Sequence, residues 1–311
     1  RYTVYLISAC LLKTHSNIGK QRSAIKELIV FTLPFHDCEI NVISQSHPLS
    51  GPLRHGQTHW QMKENAMWIR IPSIAEFTVR DGTNVEIFPL SEEIDPLVLQ
   101  HFLLSTPYAA LSLQRNELPL HAAALTKEGW DSAILICAHS GTGKSTTAAA
   151  LCQNGWSLLN DDISRLTLEN NQLVVHPTSQ SIRLWPDSCE KLAVDTPKLN
   201  LSFGLKNKLL WPAPSCQVAL PVRSIVELVR PRKDDDVIAS GWHPVTGGEV
   251  FGLTRLHTFR PPLINGLNKA AVHFKFAAHI AHHCPVHRLV IDSTMSPQSV
   301  AELIEEHFRH E

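Results

Sequence analysis

The residues with the clearest chemical potential lie between positions 138 and 162. The first group is Ala138-His139-Ser140-Gly141-Thr142-Gly143-Lys144-Ser145, and the second is Asp161-Asp162. Gly141 and Gly143 allow backbone N–H groups to turn inward toward phosphate oxygens. A helix beginning at Lys144 adds the partial positive charge of its N-terminus. Lys144 can reach the β- and γ-phosphates of a nucleoside triphosphate, and the Ser145 hydroxyl can ligate Mg²⁺. Asp161 follows Lys144 by seventeen positions. One carboxylate of the pair can hold Mg²⁺, directly or through water, while the other accepts the proton of an attacking hydroxyl.

These groups need elements to position them, and the flanking residues supply them. The apolar run 133 to 137 (AILIC) reads as a buried strand. A helix is expected to about Asn154, with Gly155 as its C-cap, followed by a short strand over 156 to 159. One helix and one short strand between Lys144 and Asp161 put the acids at the same end of a sheet as the loop, where α/β folds collect ligands. Adjacent strand residues point to opposite faces, so both aspartates can serve one site only if the strand ends before them. The polar Asn160 indicates that it does. The phosphate-loop pattern asks for Gly at position 138 and finds Ala, so that end of the loop must keep an ordinary backbone conformation. The competing reading is a Gly-Ser turn with a solvated lysine, and the strand before and helix after speak against it.

Residues 118 to 125 (LPLHAAAL) read as one strand, and 126 to 131 as a turn containing Gly129. A hairpin with Leu125 opposite Ser132 puts His121 opposite Ile136, two residues before the loop. His121 is then either a group near the phosphates or a satisfied core histidine, and spacing does not separate the two. Arg183, Arg255 and Arg260 are further candidates for neutralising phosphate charge that spacing cannot place. His279, His282 and His283 have helical i, i+3, i+4 spacing and are followed by His287. Among 18 histidines such clusters arise by chance, and no H-E-x-x-H glutamate is present, so no metal site is expected there.

Composition sets the bounds. The 311 residues are 43% hydrophobic and 18% charged, enough to bury a sizeable core in one large or two ordinary domains. A net charge of −1 provides no global field for nucleic acid or an anionic membrane, so neither is an expected partner. The seven cysteines include no C-x-x-C pair and are odd in number, which predicts reduced thiols and a cytoplasmic location. Residues 2 to 12 are apolar but too short to span a bilayer, and no small-residue cleavage site clearly follows. The chain starts at Arg1 and not Met, so a trimmed N-terminus is the expectation.

Three regions are predicted. Residues 1–92 form a β-rich region with strands at 27 to 31, 38 to 43, 68 to 71, 76 to 79 and 85 to 88. The last two are joined by an Asp81-Gly82 hairpin turn, and 45 to 62 read as polar loop. Residues 93–116 are a helical connector that Pro107 kinks or divides. Residues 117–311 contain the phosphate loop. There, strands are expected at 164 to 168, 173 to 176, 181 to 184, 222 to 229 and 287 to 291. Residues 185 to 222 read as irregular and Asp234-Asp235-Asp236 as a charged turn. Helices are expected over 269 to 284 and from a Ser296 N-cap onward, with Val300, Leu303, Ile304 and Phe308 inward.

With these residues in view, the chain resembles the HPr kinase family. The matching pieces are Leu120-His121-Ala122, the loop His139 to Thr146, Gly155, and Leu159-Asn160-Asp161-Asp162. It looks closer still to the shorter HPr-kinase-like proteins that include lasso-peptide tailoring kinases. That subgroup is similar over 71 to 89, the join 113 to 121, and Ile182-Arg183-Leu184-Trp185-Pro186-Asp187. The resemblance implies an α/β fold with a P-loop kinase domain of the HPr kinase and phosphoenolpyruvate carboxykinase type. It implies nucleotide binding by His139, Ser140, Gly141, Thr142, Gly143, Lys144, Ser145 and Thr146. It makes His121 a site residue and Asp161 the catalytic base, beside Asp162 at the metal and phosphate site. Two departures stand out: the family's Glu and Arg-Gly-x-Gly loop after the acids are missing, and Ala138 replaces a glycine.

The resulting expectation is an ATP- and Mg²⁺-dependent kinase acting on a serine-type hydroxyl of a peptide or small protein, with a lasso precursor as the subgroup's precedent. A small-molecule acceptor and a nucleotide-binding scaffold without turnover are the rival readings. Homo-oligomerisation is left open.

Overall fold

The computed structural model describes residues 31, 33–35, 37–195, 200–201, 208–231, 239–292 and 294–309. The expected strand at 27 to 31, apart from Phe31, and the Asp234–Asp236 turn lie outside the described residues.

The alternating residues of the N-terminal region build a six-stranded sheet. Its strands are β1 (Glu39–Val42), β2 (His55–Gly56), β3 (Trp60–Lys63), β4 (Ala66–Ile71), β5 (Ala75–Arg80) and β6 (Asn84–Pro89), in the order β1-β6-β5-β4-β3-β2. Only β1 runs parallel to its neighbour. The β5–β6 turn forms where Asp81-Gly82 predicts it, with φ of 53° and 71° at those two residues. β2 and β3 fall inside the stretch read as loop. They are short: β2 has two residues, and the alternation Trp60-Gln61-Met62-Lys63 of β3 spans only four.

The connector is two helices, α1 (Pro96–Leu103) and α2 (Thr106–Gln114). Asp95 caps α1 by accepting from the Leu97 N–H at 2.8 Å. Pro107 lies in the first turn of α2, where its missing N–H costs nothing, so the chain divides at Leu104-Ser105. All of α2 is buried. Tyr108, Leu111 and Leu113 pack with Phe77, Val79 and Ile87 of the sheet and with Phe259 and Leu263 from the C-terminal part. Gln114 ties the connector to the β5–β6 turn, accepting from Gly82 N–H at 2.8 Å and donating to Val79 O at 3.3 Å.

The expected strand over 118 to 125 is broken at His121. β7 (Leu118–Leu120) pairs with β11 (Ser164–Glu169), whereas β8 (Ala122–Lys127) pairs with β9 (Ala133–Ala138) and β10 (Trp156–Asn160). The His121 N–H leaves the ladder and donates to His257 O at 2.6 Å. The hairpin register also differs from expectation. Leu125 faces Ile134 and Ala122 faces Cys137. β8 continues to Lys127, and the turn closes through Trp130 N–H to Lys127 O (3.0 Å) and Thr126 Oγ1 to Ser132 O (2.7 Å). His121 is therefore carried closer to the glycine loop than the expected register places it.

The remaining elements are α3 (Lys144–Gln153), β12 (Gln172–His176), β13 (Ser181–Leu184), α4 (Pro186–Lys191), β14 (Asn200–Leu201), β15 (Leu209–Pro212), β16 (Leu220–Val229), β17 (Gly241–Pro244), α5 (Gly248–His257), α6 (Pro262–Gly266), α7 (Ala270–His283), β18 (Val286–Val290) and α8 (Pro297–His307). Residues 185 to 222, read as irregular, thus hold α4, β14 and β15, and the unassigned stretch after 236 holds β17, α5 and α6. The larger sheet runs β10-β8-β9-β16-β12-β11-β7, with β18 on β16 and β17 on β18. β9, β16 and β18 are mutually parallel. One face packs on α3 and α8 through Ala148, Leu151, Val300 and Ile304. The other packs on α5 and α7 through Val250, Leu253, Phe276 and Ile280. Ser296 caps α8 as expected, accepting from Ser299 N–H at 3.1 Å.

The described cysteines, at 38, 137, 152, 189, 216 and 284, are all free thiols. Among the described residues no helix is long and apolar enough to cross a membrane.

Candidate functional site

The loop is built by the strand before it and the helix after it. β9 ends at Ala138, which pairs with Leu228 and stays in strand conformation. Alanine is sufficient there because no left-handed conformation is required. Gly141 and Gly143 are different, with φ of 87° and 115°. An added Cβ would meet no heavy atom within 4 Å at either position, so conformation and not crowding calls for glycine. Gly143 precedes α3, and the Thr147 N–H donates to its carbonyl at 2.8 Å.

β10 runs parallel to β9, with β8 antiparallel between them, so their C-terminal ends coincide. Asn160 ends β10 by donating to His176 O at 2.9 Å and accepting from the Thr178 hydroxyl. Beyond it the two carboxylates diverge. Asp161 is only 4% exposed. Its Oδ2 accepts the Arg183 N–H at 3.0 Å, and its Oδ1 has no hydrogen-bond partner. The Lys144 ammonium, itself largely buried, donates to the Asp161 main-chain carbonyl. The Asp162 Oδ2 accepts from Arg183 Nη2 at 3.0 Å, and its Oδ1 lies 3.2 Å from His121 Nδ1.

A pocket of about 990 Å³ opens over the loop. Residues Ala138 to Thr147 line it, together with His121, Asp162, Arg183, Trp185, Lys191, Lys208 and Arg230. Five cationic side chains (Lys144, Arg183, Lys191, Lys208 and Arg230) face the acids Asp162 and Asp187, a balance suited to a polyphosphate. Burial, with Lys144 nearby, pushes the His121 imidazole down to about 4, so it is neutral at pH 7. Burial raises the Asp162 carboxyl, but Lys144 and Arg183 outweigh it and the net shift is downward. Burial also lowers Lys208, and Asp161 opposes that shift.

No protein-family model matches the chain, and no curated protein matches it. Among solved structures the chain is similar to the Hpr(Ser) kinase/phosphatase from Coxiella burnetii. That match has 19% identity, spans 61% of this chain and 95% of the other, and has a TM-score of 0.33.

The structure brings His121, Lys144, Ser145, Asp161, Asp162 and Arg183 to one end of the larger sheet. Arg255 and Arg260 are not among the residues lining this pocket, and Arg255 lines a separate cleft with Arg54 and His55. His279 and His283 have ring centroids 4.7 Å apart, whereas His287 packs with Trp242 and His307. Among the described residues no group of three or more His, Cys, Asp or Glu is placed to hold a metal ion.

Two features escape sequence reasoning. Lys208 reaches the pocket from the Pro-rich stretch, its ammonium 5.1 Å from the centre of the Trp185 ring. Beneath the loop, buried Glu227 accepts from Arg288 Nε at 2.7 Å and lies 2.8 Å from His257 Nε2. His257 in turn holds the His121 N–H and has its ring 5.7 Å from that of His139. The available signal was an acid inside the otherwise apolar run 225 to 229.

Proposed function

We propose that this chain is an ATP- and Mg²⁺-dependent kinase that transfers the γ-phosphoryl group to a serine-type hydroxyl of a peptide or small protein. One observation carries the reading: Asp162 and the glycine loop line the same cation-rich pocket. Phosphoryl transfer demands positioning and charge neutralisation more than covalent participation, and this pocket offers both. Loop amides and Lys144 hold the phosphates, and Arg183 and Lys208 neutralise charge near the γ-position. Neutral His121 lies beside Asp162 and orients that carboxylate.

The residues fit Mg²⁺. Ser145 and Asp162 offer only oxygen donors, and a small protein ligand set is what this ion takes when phosphates complete its shell. When bound, the ion neutralises phosphate charge. Asp161 suits the base: one oxygen is fixed by the Arg183 N–H, and the other has no partner. The proposed division is a β-rich region (1–92), a connector (93–116) and a kinase domain (117–311). A lasso-precursor-like acceptor is the finer form of the proposal and rests on the sequence resemblance alone.

The test is incubation of purified protein with γ-labelled ATP, Mg²⁺ and mixtures of seryl peptides or hydroxyl metabolites. Label on peptide is the expected result. Label on metabolites alone would move the acceptor class, and ATP binding without any turnover would overturn the kinase reading.

A further inference from the structure

A second cleft of about 150 Å³ shares Asp162 and Arg183 with the loop pocket but touches no loop residue. Its lining includes Asp161 and Ser179 and, from the connector, His101 and Leu104. It is too small for a nucleotide and large enough for a short side chain. Of the acid pair, Asp162 lines both clefts, whereas Asp161 lines this one and not the loop pocket. That residue is 4% exposed, and its Oδ1 is buried without a hydrogen-bond partner. A buried acceptor oxygen left unpaired is costly, and a donor hydroxyl in the cleft would satisfy it. The connector adds no fixed positive charge to this lining. Burial, then Arg183, hold the His101 imidazole down at about 4, so it is neutral at pH 7.

We propose that this cleft is the acceptor subsite, taking a small uncharged primary hydroxyl of the seryl type, with His101 and Leu104 setting its width. The inference rests on the kinase reading above and gives the connector a role in substrate selection. In the step it implies, the hydroxyl oxygen bonds to the γ-phosphorus. The bond from that phosphorus to the β–γ bridging oxygen breaks, and ADP leaves with the electron pair. The hydroxyl proton passes to Asp161 Oδ1.

Filling the cleft from two segments of its lining tests this. Ser179→Phe and Leu104→Trp are compared with the parent protein using γ-labelled ATP and a seryl peptide mixture, counting both phosphopeptide and free phosphate. A fluorescent ATP analogue reports nucleotide binding separately. Both variants should bind the analogue as the parent does and lose transfer by at least about ten-fold. The widening variant His101→Ala should raise threonyl over seryl use by about ten-fold, the scale of one methyl group in a fitted pocket. Unchanged transfer in both filled variants overturns the subsite while leaving the kinase reading intact. Should a filled variant lose analogue binding as well, the threonyl-to-seryl ratio of His101→Ala decides, and an unchanged ratio overturns the proposal. A parent protein that binds the analogue but never turns ATP over overturns the kinase reading and the subsite with it.

Discussion

The Lys144 ammonium donates to the main-chain carbonyl of Asp161, and through it the glycine loop is tied to the strand end that carries both acids. The contact closes a loop of seventeen residues that contains one helix and one strand. It uses one of three ammonium donors, which leaves two for phosphate oxygens. The lysine is thus positioned by the protein itself, and the Asp161 backbone is positioned with it.

Lys144→Met is the corresponding test. Methionine keeps much of the aliphatic volume and removes the charge. Loss of charge-assisted hydrogen bonds worth about 1.5–3 kcal/mol should weaken nucleotide binding roughly ten- to hundred-fold. Titration with a fluorescent ATP analogue measures it, and parent-like affinity would remove the loop from the site.

The two aspartates should respond differently because only Asp162 lines the loop pocket. Asp161→Asn keeps an oxygen for the Arg183 N–H but cannot take a proton. Transfer should fall by about 10²- to 10⁴-fold with nucleotide affinity nearly unchanged. Asp162→Asn weakens the pair with Arg183 and removes a charged oxygen from the loop pocket. Its signature should be a higher Mg²⁺ requirement. Rate and Mg²⁺ titrations on both variants separate the roles, and identical behaviour would contradict the division.

Much of this site was legible in the sequence because its parts are local. The strand, glycine loop, helix and strand-end acids occupy 133 to 162, and each is marked by an apolar run, a turn residue or a cap. The Ala138 departure was legible too, since a residue that ends a paired strand has no need of glycine. The break at His121 was not. Leu118 to Leu125 is apolar apart from His121, which a single strand could also hold, and only the partners of each half, β11 for one and β9 for the other, show that the chain changes neighbours there. Lys208 and His257 come from segments without periodicity, and their places are set by tertiary packing alone. The cleft behind Asp161 depends on α1 and on the chain after β12, far apart in sequence, so no local pattern announces it.

Acid should destabilise the fold earlier than carboxylate protonation alone requires. Burial is the leading cause holding His101, His121 and His176 at about 4 in the folded chain, against an ordinary value of 6.5. The unfolded chain therefore binds more protons than the folded one throughout that interval, and stability rises with pH across it. Their contribution is fully present above pH 6.5 and is lost as pH falls toward 4. Asp162 and Glu227, both lowered, add a further loss below the usual carboxylate range. Urea unfolding between pH 4 and 7 should show this slope, and His101→Gln with His121→Gln should flatten it. A slope unchanged in the double variant would mean these imidazoles are not the groups involved.

The buried Glu227 group should couple stability to the site. Glu227 lies on β16 directly opposite Cys137 of the loop-bearing strand. Burial raises its carboxyl, but hydrogen bonds from His257 and Arg288 more than offset this, and the group is ionised. Glu227→Ala would leave Arg288 with Glu249 as its remaining carboxylate and His257 facing a void. Removing one member of a buried charged set costs about 3–5 kcal/mol, whereas Glu227→Gln retains an acceptor and should cost less. The effect should reach the site along a short path. His257 accepts the His121 N–H, and its ring packs near that of His139. Glu227→Gln should therefore remain folded while binding nucleotide more weakly and turning it over more slowly, though no atom of Glu227 lines the pocket. Thermal melting with and without an ATP analogue gives both quantities. A variant that loses stability but keeps parent nucleotide affinity and turnover would confine Glu227 to a structural role and sever the link to His121.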